Sequence, residues 1–364
     1  MYGSRRLIAL ALLALSACKS KEAPKAAEPA KSAAALAPKT DVLDVPRDLV
    51  YAASSHVRVV DVGLGQVVAG IDLSRAVKWI EFDKNGQRAF VAASDGVHEI
   101  DVEKSALIAR LTENPARHVL LSPDGKKLFV LENSIKISDD QKTRNAEPFH
   151  LLTIDLDSKK IEKNELVGER IFRAIPASAP GRYHLAVTES GRVRMGRDPE
   201  PFGSGVDLDA SGGLPGALGV RHFVVTSEDL TKAYVPIEGE PSQILEVELV
   251  GGQSRFMSLG AAIRLRGMAL APGGRLVIEG STELIVLELA TGHVASSVAL
   301  EGNHTGIAIA PDGKRAYLAR TIDGTGGAIT IVALDPMRVQ GKIHLEDITP
   351  WAIAVRPRAS LASR

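Results

Sequence analysis

The sequence predicts an all-β protein: a seven-bladed β-propeller with four-stranded antiparallel blades, whose first blade is closed by the C-terminal strand. Three observations lead to this prediction. Short apolar strands flank tight turns at several places, sets of four strands recur about every 40 to 55 residues, and no apolar pattern follows the 3.6-residue period of a helix. The chain has 364 residues, 45% of them hydrophobic, which is enough for a large core.

The clearest repeat is a strand, a turn and a second strand. HVLLSPDGKKLFVLEN at residues 118–133 recurs as GIAIAPDGKRAYLART at residues 306–321. In the first copy Pro123 presets φ, Asp124 bonds locally to the backbone and Gly125 accepts a positive φ, so a tight hairpin is expected. Weaker copies cover residues 79–94, 175–189, 222–236 and 267–280.

The two ends of the propeller segment complement each other. LVYAAS at 49–54 and VRVVDVG at 57–63 match the second and third strands of a blade, but no hairpin precedes them. WAIAVRP at 351–357 matches an inner strand and follows the last complete blade. We therefore expect the first blade to take its inner strand from the C-terminus, which leaves no free radial edge.

The motifs SPDGKKLFV and APDGKRAYL resemble those of the YVTN family of seven-bladed propellers, and the resemblance spans about residues 48–357. That family occurs in bacterial surface and periplasmic proteins, and its fold is related to the heavy chain of quinoprotein amine dehydrogenases and to WD40-like repeats. The resemblance implies a fold and a compartment. It implies no active site, because these motifs are structural turns and propellers host binding modules, lactonases and redox subunits.

The N-terminus predicts export. Two arginines precede an apolar run at residues 7–15, which as a helix is only about 14 Å long and too short to span a membrane. LSAC at 15–18 resembles the lipobox of bacterial lipoproteins, which implies a lipoprotein signal peptide over residues 1–17 and a lipid on Cys18. The alternative is an ordinary secretory signal. The single cysteine favours lipidation, since an unpaired thiol is a liability in an oxidising compartment.

Composition divides the rest of the chain. Residues 18–45 are rich in Ala, Pro and Lys and predict a flexible tether that carries the lipidated cysteine. Residues 46–358 form the predicted propeller, and residues 359–364 a disordered tail. The residue after the cysteine is Lys19, and not the aspartate that signals inner-membrane retention in enteric bacteria. By that resemblance the outer membrane is favoured.

A candidate ligand-binding site follows from the repeats. Loops leading into the inner strands crowd one mouth of a propeller channel, so equivalent residues there face a shared space. Aligned on the hairpins, Lys78, Arg117, Arg221 and Arg266 occupy one position. Arg173 and His304 lie one residue earlier, and Trp351 takes the place in the closing blade.

Two interpretations of this basic ring stay open. Six of seven blades offer a basic or ionisable side chain in a chain of zero net charge, which suggests a mouth that attracts a carboxylate, a phosphate or an acidic protein loop. Alternatively, the basic side chains pair with acids such as Glu81, Glu113 and Glu301 and simply solvate a surface.

The sequence contains no recognised catalytic, cofactor or metal motif. It has no GxSxG elbow, CxxCH site, phosphate-binding GxxxxGK[ST] or HExxH spacing, so we assign no catalytic residue, metal or cofactor. We expect a membrane-anchored recognition module that binds a protein or an anionic envelope ligand and no nucleic acid. The rival is a lactonase-type hydrolase or a noncatalytic subunit of a periplasmic quinoprotein dehydrogenase.

Overall fold

The structure is a computed structural model. The residues that it describes are 47–73, 75–137, 144–168, 171–188, 192–200, 206–207, 224–322 and 326–358, without the side chains of 134–137, 144–147, 172 and 206–207. The predicted signal peptide, the tether with Cys18 and the C-terminal tail therefore lie outside the described residues. Within the described part, no helix is long and apolar enough to cross a membrane.

The described secondary structure consists of 28 strands. The first fourteen are β1 (Leu49–Ala53), β2 (His56–Asp61), β3 (Gln66–Asp72), β4 (Val77–Phe82), β5 (Arg88–Ala93), β6 (Gly96–Asp101), β7 (Ala106–Arg110), β8 (Ala116–Leu121), β9 (Lys127–Ile137), β10 (Arg144–Asp155), β11 (Lys160–Gly168), β12 (Ile171–Ile175), β13 (Tyr183–Thr188) and β14 (Val193–Arg197). The others are β15 (Val206–Asp207), β16 (Val225–Thr226), β17 (Lys232–Ile237), β18 (Gln243–Glu248), β19 (Ser254–Ser258), β20 (Leu265–Ala271), β21 (Arg275–Gly280), β22 (Glu283–Glu288), β23 (His293–Ala299), β24 (Asn303–Ile309), β25 (Arg315–Ile322), β26 (Gly326–Leu334), β27 (Met337–Leu345) and β28 (Ala352–Val355).

These strands form seven four-stranded antiparallel sheets, the blades of a β-propeller. Blade 1 has the order β28-β1-β2-β3, and blades 2 to 7 take the following strands in fours, beginning with β4, β8, β12, β16, β20 and β24. The inner strands β28, β4 and β8 contact one another in succession, as do β16, β20, β24 and β28. The inner strands therefore surround a central channel, and the predicted fold class is confirmed.

The hydrophobic core consists of layers between neighbouring blades. Between blades 1 and 2, for example, Tyr51 and Val59 pack against Ile80 and Val91. The middle strands are apolar on both faces because each face meets a neighbour, as in the wholly apolar stretch FVAA of β5. Outer strands such as β7 are mostly exposed.

The repeated turn residues act as predicted. Gly125 has a φ of 71° and donates its backbone N–H to the carbonyl of Ser122 across the β8–β9 hairpin. The Asp124 carboxylate accepts hydrogen bonds from the Ser122 hydroxyl and the Lys126 backbone N–H, at 2.6 and 3.1 Å. This sequence therefore specifies the sharp reversal between an inner strand and the second strand.

The C-terminal strand closes the ring, as the sequence predicts. Strand β28 pairs with β1 from Ala53↔Ala352 to Val50↔Val355. Backbone bonds extend the pairing on both sides, from Trp351 to Ala53 at 2.7 Å and from Arg356 to Leu49 at 2.9 Å. Blade 1 thus contains both ends of the propeller segment.

Removing residues 350–358 should open this ring. We expect the free energy of unfolding to fall by at least about 3 kcal/mol, because four apolar residues lose buried contacts and blade 1 loses its inner strand. Denaturant unfolding followed by circular dichroism measures the change. Trp351→Ala, which removes an exposed side chain from the same segment, is the control and should leave stability nearly unchanged. Equal stability of the truncated and full chains would contradict the closure.

Candidate functional site

The inner strands carry a shared irregularity near their first residues. The register of β4 with β5 shifts between Val77 and Trp79, so Lys78 is an extra, bulged residue. The same shift occurs in blades 3, 4, 6 and 7. The bulged residues of the five blades are Lys78, Arg117, Phe172, Arg266 and Thr305. Because all inner strands run in the same direction around the ring, these positions lie at one mouth of the channel.

The structure places Lys78, Arg117 and Arg266 at equivalent positions, and Trp351 directly before the first paired residue of β28. His304 precedes the bulge of its blade by one residue, in agreement with the sequence alignment. Arg173 differs from the sequence alignment, which placed it one residue before the shared position; in the structure it follows the bulged residue of its blade. The cause is the β12–β13 loop, residues 176–182, which is two residues longer than the β8–β9 turn, residues 122–126. Arg221 lies outside the described residues.

Three residues of the mouth present side chains to solvent. Lys78 is exposed, Arg266 is half-buried and the Trp351 side chain is 65% exposed. Within the described part of the chain, neither Lys78 nor Arg266 makes a hydrogen bond or ion pair through its side chain. We call Lys78, Arg266 and Trp351 the mouth residues. They combine two unpaired cations with an indole.

Arg117 and His304 are occupied inside the fold. The Arg117 guanidinium donates a hydrogen bond to the carbonyl of Ile171 at 3.3 Å and lies 4.7 Å from the centre of the Phe149 ring. The imidazole Nε2 of His304 lies 3.4 Å from the Thr330 hydroxyl, and burial lowers its pKa to about 4. His304 is therefore neutral at physiological pH and adds no charge to the mouth.

A polar cluster lies deeper, at the residues that follow the bulges in blades 2, 3 and 4. The rings of Trp79 and His118 meet edge to face at 4.8 Å, and the Arg173 guanidinium lies 4.3 Å from the centre of the Trp79 ring. Blades 2 and 4 are not neighbours, so Arg173 and Trp79 meet where the inner strands converge, in the channel. Arg173 is 4% exposed, and its Nε and Nη2 donate to the carbonyl of Val224 at 3.3 and 2.9 Å.

Glu81 completes this cluster, which we call the channel cluster of Trp79, Glu81, His118 and Arg173. The indole N–H of Trp79 donates to Glu81 Oε2 at 3.3 Å. Glu81 keeps some accessible surface, yet protein surrounds it, and this burial raises its pKa to about 7 against the lowering effects of Trp79 and Arg173. Burial also lowers the pKa of Arg173 to about 9 and that of His118 well below its usual range. Near neutral pH the cluster holds one cation, a partly ionised acid and a neutral histidine.

The other side of the channel is lined by small residues. The positions of Trp79, His118 and Arg173 are taken in blades 6, 7 and 1 by Gly267, Gly306 and Ala352. Among the blades whose equivalent residue the structure describes, the large side chains come from blades 2 to 4, so the described part of the channel wall is asymmetric.

Glu279 lies behind Gly267. It pairs with Gly267 across β20 and β21, is fully buried, and neither carboxyl oxygen has a hydrogen-bond partner among the described residues. A Cβ on Gly267 would lie 2.6 Å from Glu279 Oε2, so the carboxyl fills the space that a side chain would use. Burial raises the pKa of Glu279 to about 8, opposed by the charge of Arg266. In the sequence, a buried acid at this position is indicated by the glutamate within the otherwise apolar stretch LVIEG.

No described group of three or more histidine, cysteine, aspartate or glutamate side chains could hold a metal ion. The channel cluster can bind and position a charged group, but it brings together no nucleophile with a base.

Comparisons with known proteins agree with the fold. No family model matches the chain, and no curated protein is similar to it. A functionally unknown protein from Desulfotomaculum acetoxidans has a similar structure, with a TM-score of 0.64 at 11% identity, covering 85% of this chain and 99% of that one. Hydrazine synthase from Kuenenia stuttgartiensis gives a TM-score of 0.56 at 14% identity, covering 77% and 89%. The dihydro-heme d1 dehydrogenase NirN in complex with DHE gives 0.52 at 13%, covering 85% and 75%. At such identities the likeness shows the fold alone.

The buried acids should make the propeller less stable as pH rises. A carboxyl whose pKa is raised on folding holds a proton that the unfolded chain releases, so stability is lost from the ordinary pKa of 4.5 up to about 8 for Glu279. Glu279→Gln should reduce the fall in unfolding free energy between pH 5 and pH 8 by roughly 3 kcal/mol. Denaturant melts at both pH values test this. A mutant that keeps the wild-type pH dependence would show that Glu279 ionises normally.

Proposed function

We propose that this protein is a recognition module of the bacterial cell envelope, held at a membrane by a lipid on Cys18, that binds an acidic protein segment at one mouth of its propeller. The observation that carries the proposal is that Lys78 and Arg266 lie at equivalent positions of one mouth and form no side-chain hydrogen bond or ion pair with any described residue. Two charges on the same rim attract anions far more than isolated surface charges do.

Trp351 supports a protein partner. An indole that is 65% exposed is unusual on a folded surface, and tryptophan and arginine are enriched where binding energy concentrates in protein interfaces. The backbone on either side of this indole is fixed, because Trp351 donates its N–H to Ala53 and Thr305 donates its hydroxyl to the carbonyl of Pro350 at 2.6 Å. A fixed, exposed aromatic side chain at the same mouth as two cations fits an acidic peptide that carries an apolar residue.

The alternative of paired surface charges finds little support at these positions. Of the acids considered, Glu301 pairs with Lys342 at 3.2 Å and Glu81 accepts from Trp79. In the described part of the chain, neither Lys78 nor Arg266 forms a salt bridge, although the buried Glu279 acts on Arg266 without direct contact, so both side chains remain available to a ligand.

A noncatalytic subunit of a redox enzyme is the second candidate. It draws support from the names of two structural neighbours, a hydrazine synthase and a dihydro-heme d1 dehydrogenase. In that case the acidic segment would belong to a catalytic subunit, and the same mouth would bind it. A lactonase would need converging acid, base or metal groups, and the channel cluster offers only Glu81 in such a role.

The mouth is tested with a fluorescently labelled poly-glutamate peptide and the variant Lys78→Gln/Arg266→Gln. We expect affinity to fall about tenfold or more, since two charge-assisted contacts are lost. The matched control is Lys84→Gln/Lys126→Gln, which removes two exposed lysines from hairpins at the opposite ends of the inner strands. An equal loss in both variants would mean that net charge, and not the mouth, governs binding.

The anchor is tested with Cys18→Ser in the native host. A two- or three-chain lipid makes release negligible, so the wild-type protein should sediment with membranes and the variant should stay in the soluble fraction. Membrane fractionation with immunoblotting measures the distribution. Sedimentation of both proteins alike would contradict lipid anchoring at this residue.

A further inference from the structure

Each buried acid of the channel lies near a cation without forming an ion pair with it. Glu81 acts on Arg173 from beyond the Trp79 indole, and Glu279 acts on Arg266 from the second strand of blade 6. Among the described residues, no salt bridge joins either acid to a basic group. Each acid can therefore gain or lose its charge without breaking an ion pair.

We propose that the mouth and channel bind an anion together with a proton, with Glu81 and Glu279 as the groups that take up the proton. This inference rests on the proposed function, since it concerns the same anion site. It adds that proton uptake accompanies binding of the anion, so the anion binds more tightly at lower pH.

The charges of the site set the direction of the effect. The site contains three basic side chains, those of Lys78, Arg173 and Arg266, and ionised Glu81 and Glu279 would offset two of their charges. With pKa values of about 7 and about 8, both acids are largely neutral at pH 6 and largely ionised at pH 9. The positive charge available to an anion therefore increases as pH falls.

Among the described residues, the groups that act on the two acids do not reverse this direction. Arg173 of β12 is the charged side chain that acts on Glu81, and His118 of β8, on the same indole, is neutral because burial lowers its pKa. Arg266 of β20 is the charged side chain that acts on Glu279, while Ile307 of β24 covers the adjoining Gly267. Linkage is reciprocal, so an anion that binds better to the protonated site also promotes proton uptake.

The test measures poly-glutamate binding from pH 6 to pH 9 at constant ionic strength. This probe stays fully ionised over that range, so any change in affinity comes from the protein. We expect wild-type affinity to be about tenfold higher at pH 6 than at pH 9, the effect of about one unit charge near the bound anion. Glu81→Gln/Glu279→Gln should lose most of this difference and keep only the part that comes from the loss of the Arg173 charge near pH 9. Glu162→Gln, which removes an acid from the outer strand β11, should keep the wild-type pH dependence.

Calorimetry in two buffers of different ionisation enthalpy counts the protons directly. We expect net proton uptake on binding near pH 7.5 in the wild type and none in the double variant, with circular dichroism confirming that both are folded. Binding that is independent of pH and takes up no proton would overturn this inference and leave the proposed function standing. Absence of peptide binding at every pH would overturn both.

Discussion

The pairing of β28 with β1 is the constraint on which the rest of the structure depends. It joins the last described strand to the first across four residue pairs and thereby closes the ring of seven blades. A closed ring gives every inner strand the same direction and a similar distance from the axis. Residues that are distant in sequence, such as Trp79 and Arg173, can meet only because the ring holds blades 2 to 4 around one channel.

Closure also explains why polar groups are tolerated at the centre. The apolar layers between blades supply the core, so the innermost positions need not be hydrophobic. Three interactions stabilise Arg173 in this buried position: a hydrogen bond to the carbonyl of Val224, a contact with the ring of Trp79 and the opposite charge of Glu81. Glu279 has the charge of Arg266 but no hydrogen-bond partner among the described residues, and burial keeps its carboxyl largely protonated at neutral pH.

Turn chemistry and strand patterns were enough to predict the fold. The hairpin at Gly125 and the inner strand at 351–357 follow from local rules: a positive φ in the turn, and an unmatched strand at each end of the segment. The mouth residues Lys78 and Arg266 were also accessible, because equivalent positions in repeats share a place in space. The sequence could not predict that Lys78 and Arg266 form no ion pair among the described residues, since this depends on contacts between blades.

The channel cluster escaped prediction for a geometric reason. In five of the blades, a bulge near the start of the inner strand reverses the side on which the following residues lie, so Trp79, and not Lys78, belongs to the channel cluster. Sequence alignment on the hairpins could not locate that bulge, and the longer loop after β12 placed Arg173 two residues away from its structural position. Glu81 was considered only as a surface partner, although its alternation with Trp79 puts both side chains on one face.

The central claim is that a single mouth of the ring recognises acidic ligands. A crystal structure of the propeller with poly-glutamate bound tests it most directly, because it locates the ligand without relying on a variant. We predict electron density across the mouth, with carboxylates beside Lys78 and Arg266 and an apolar contact to Trp351. Density confined to the hairpin face, or to the outer strands, would contradict the account.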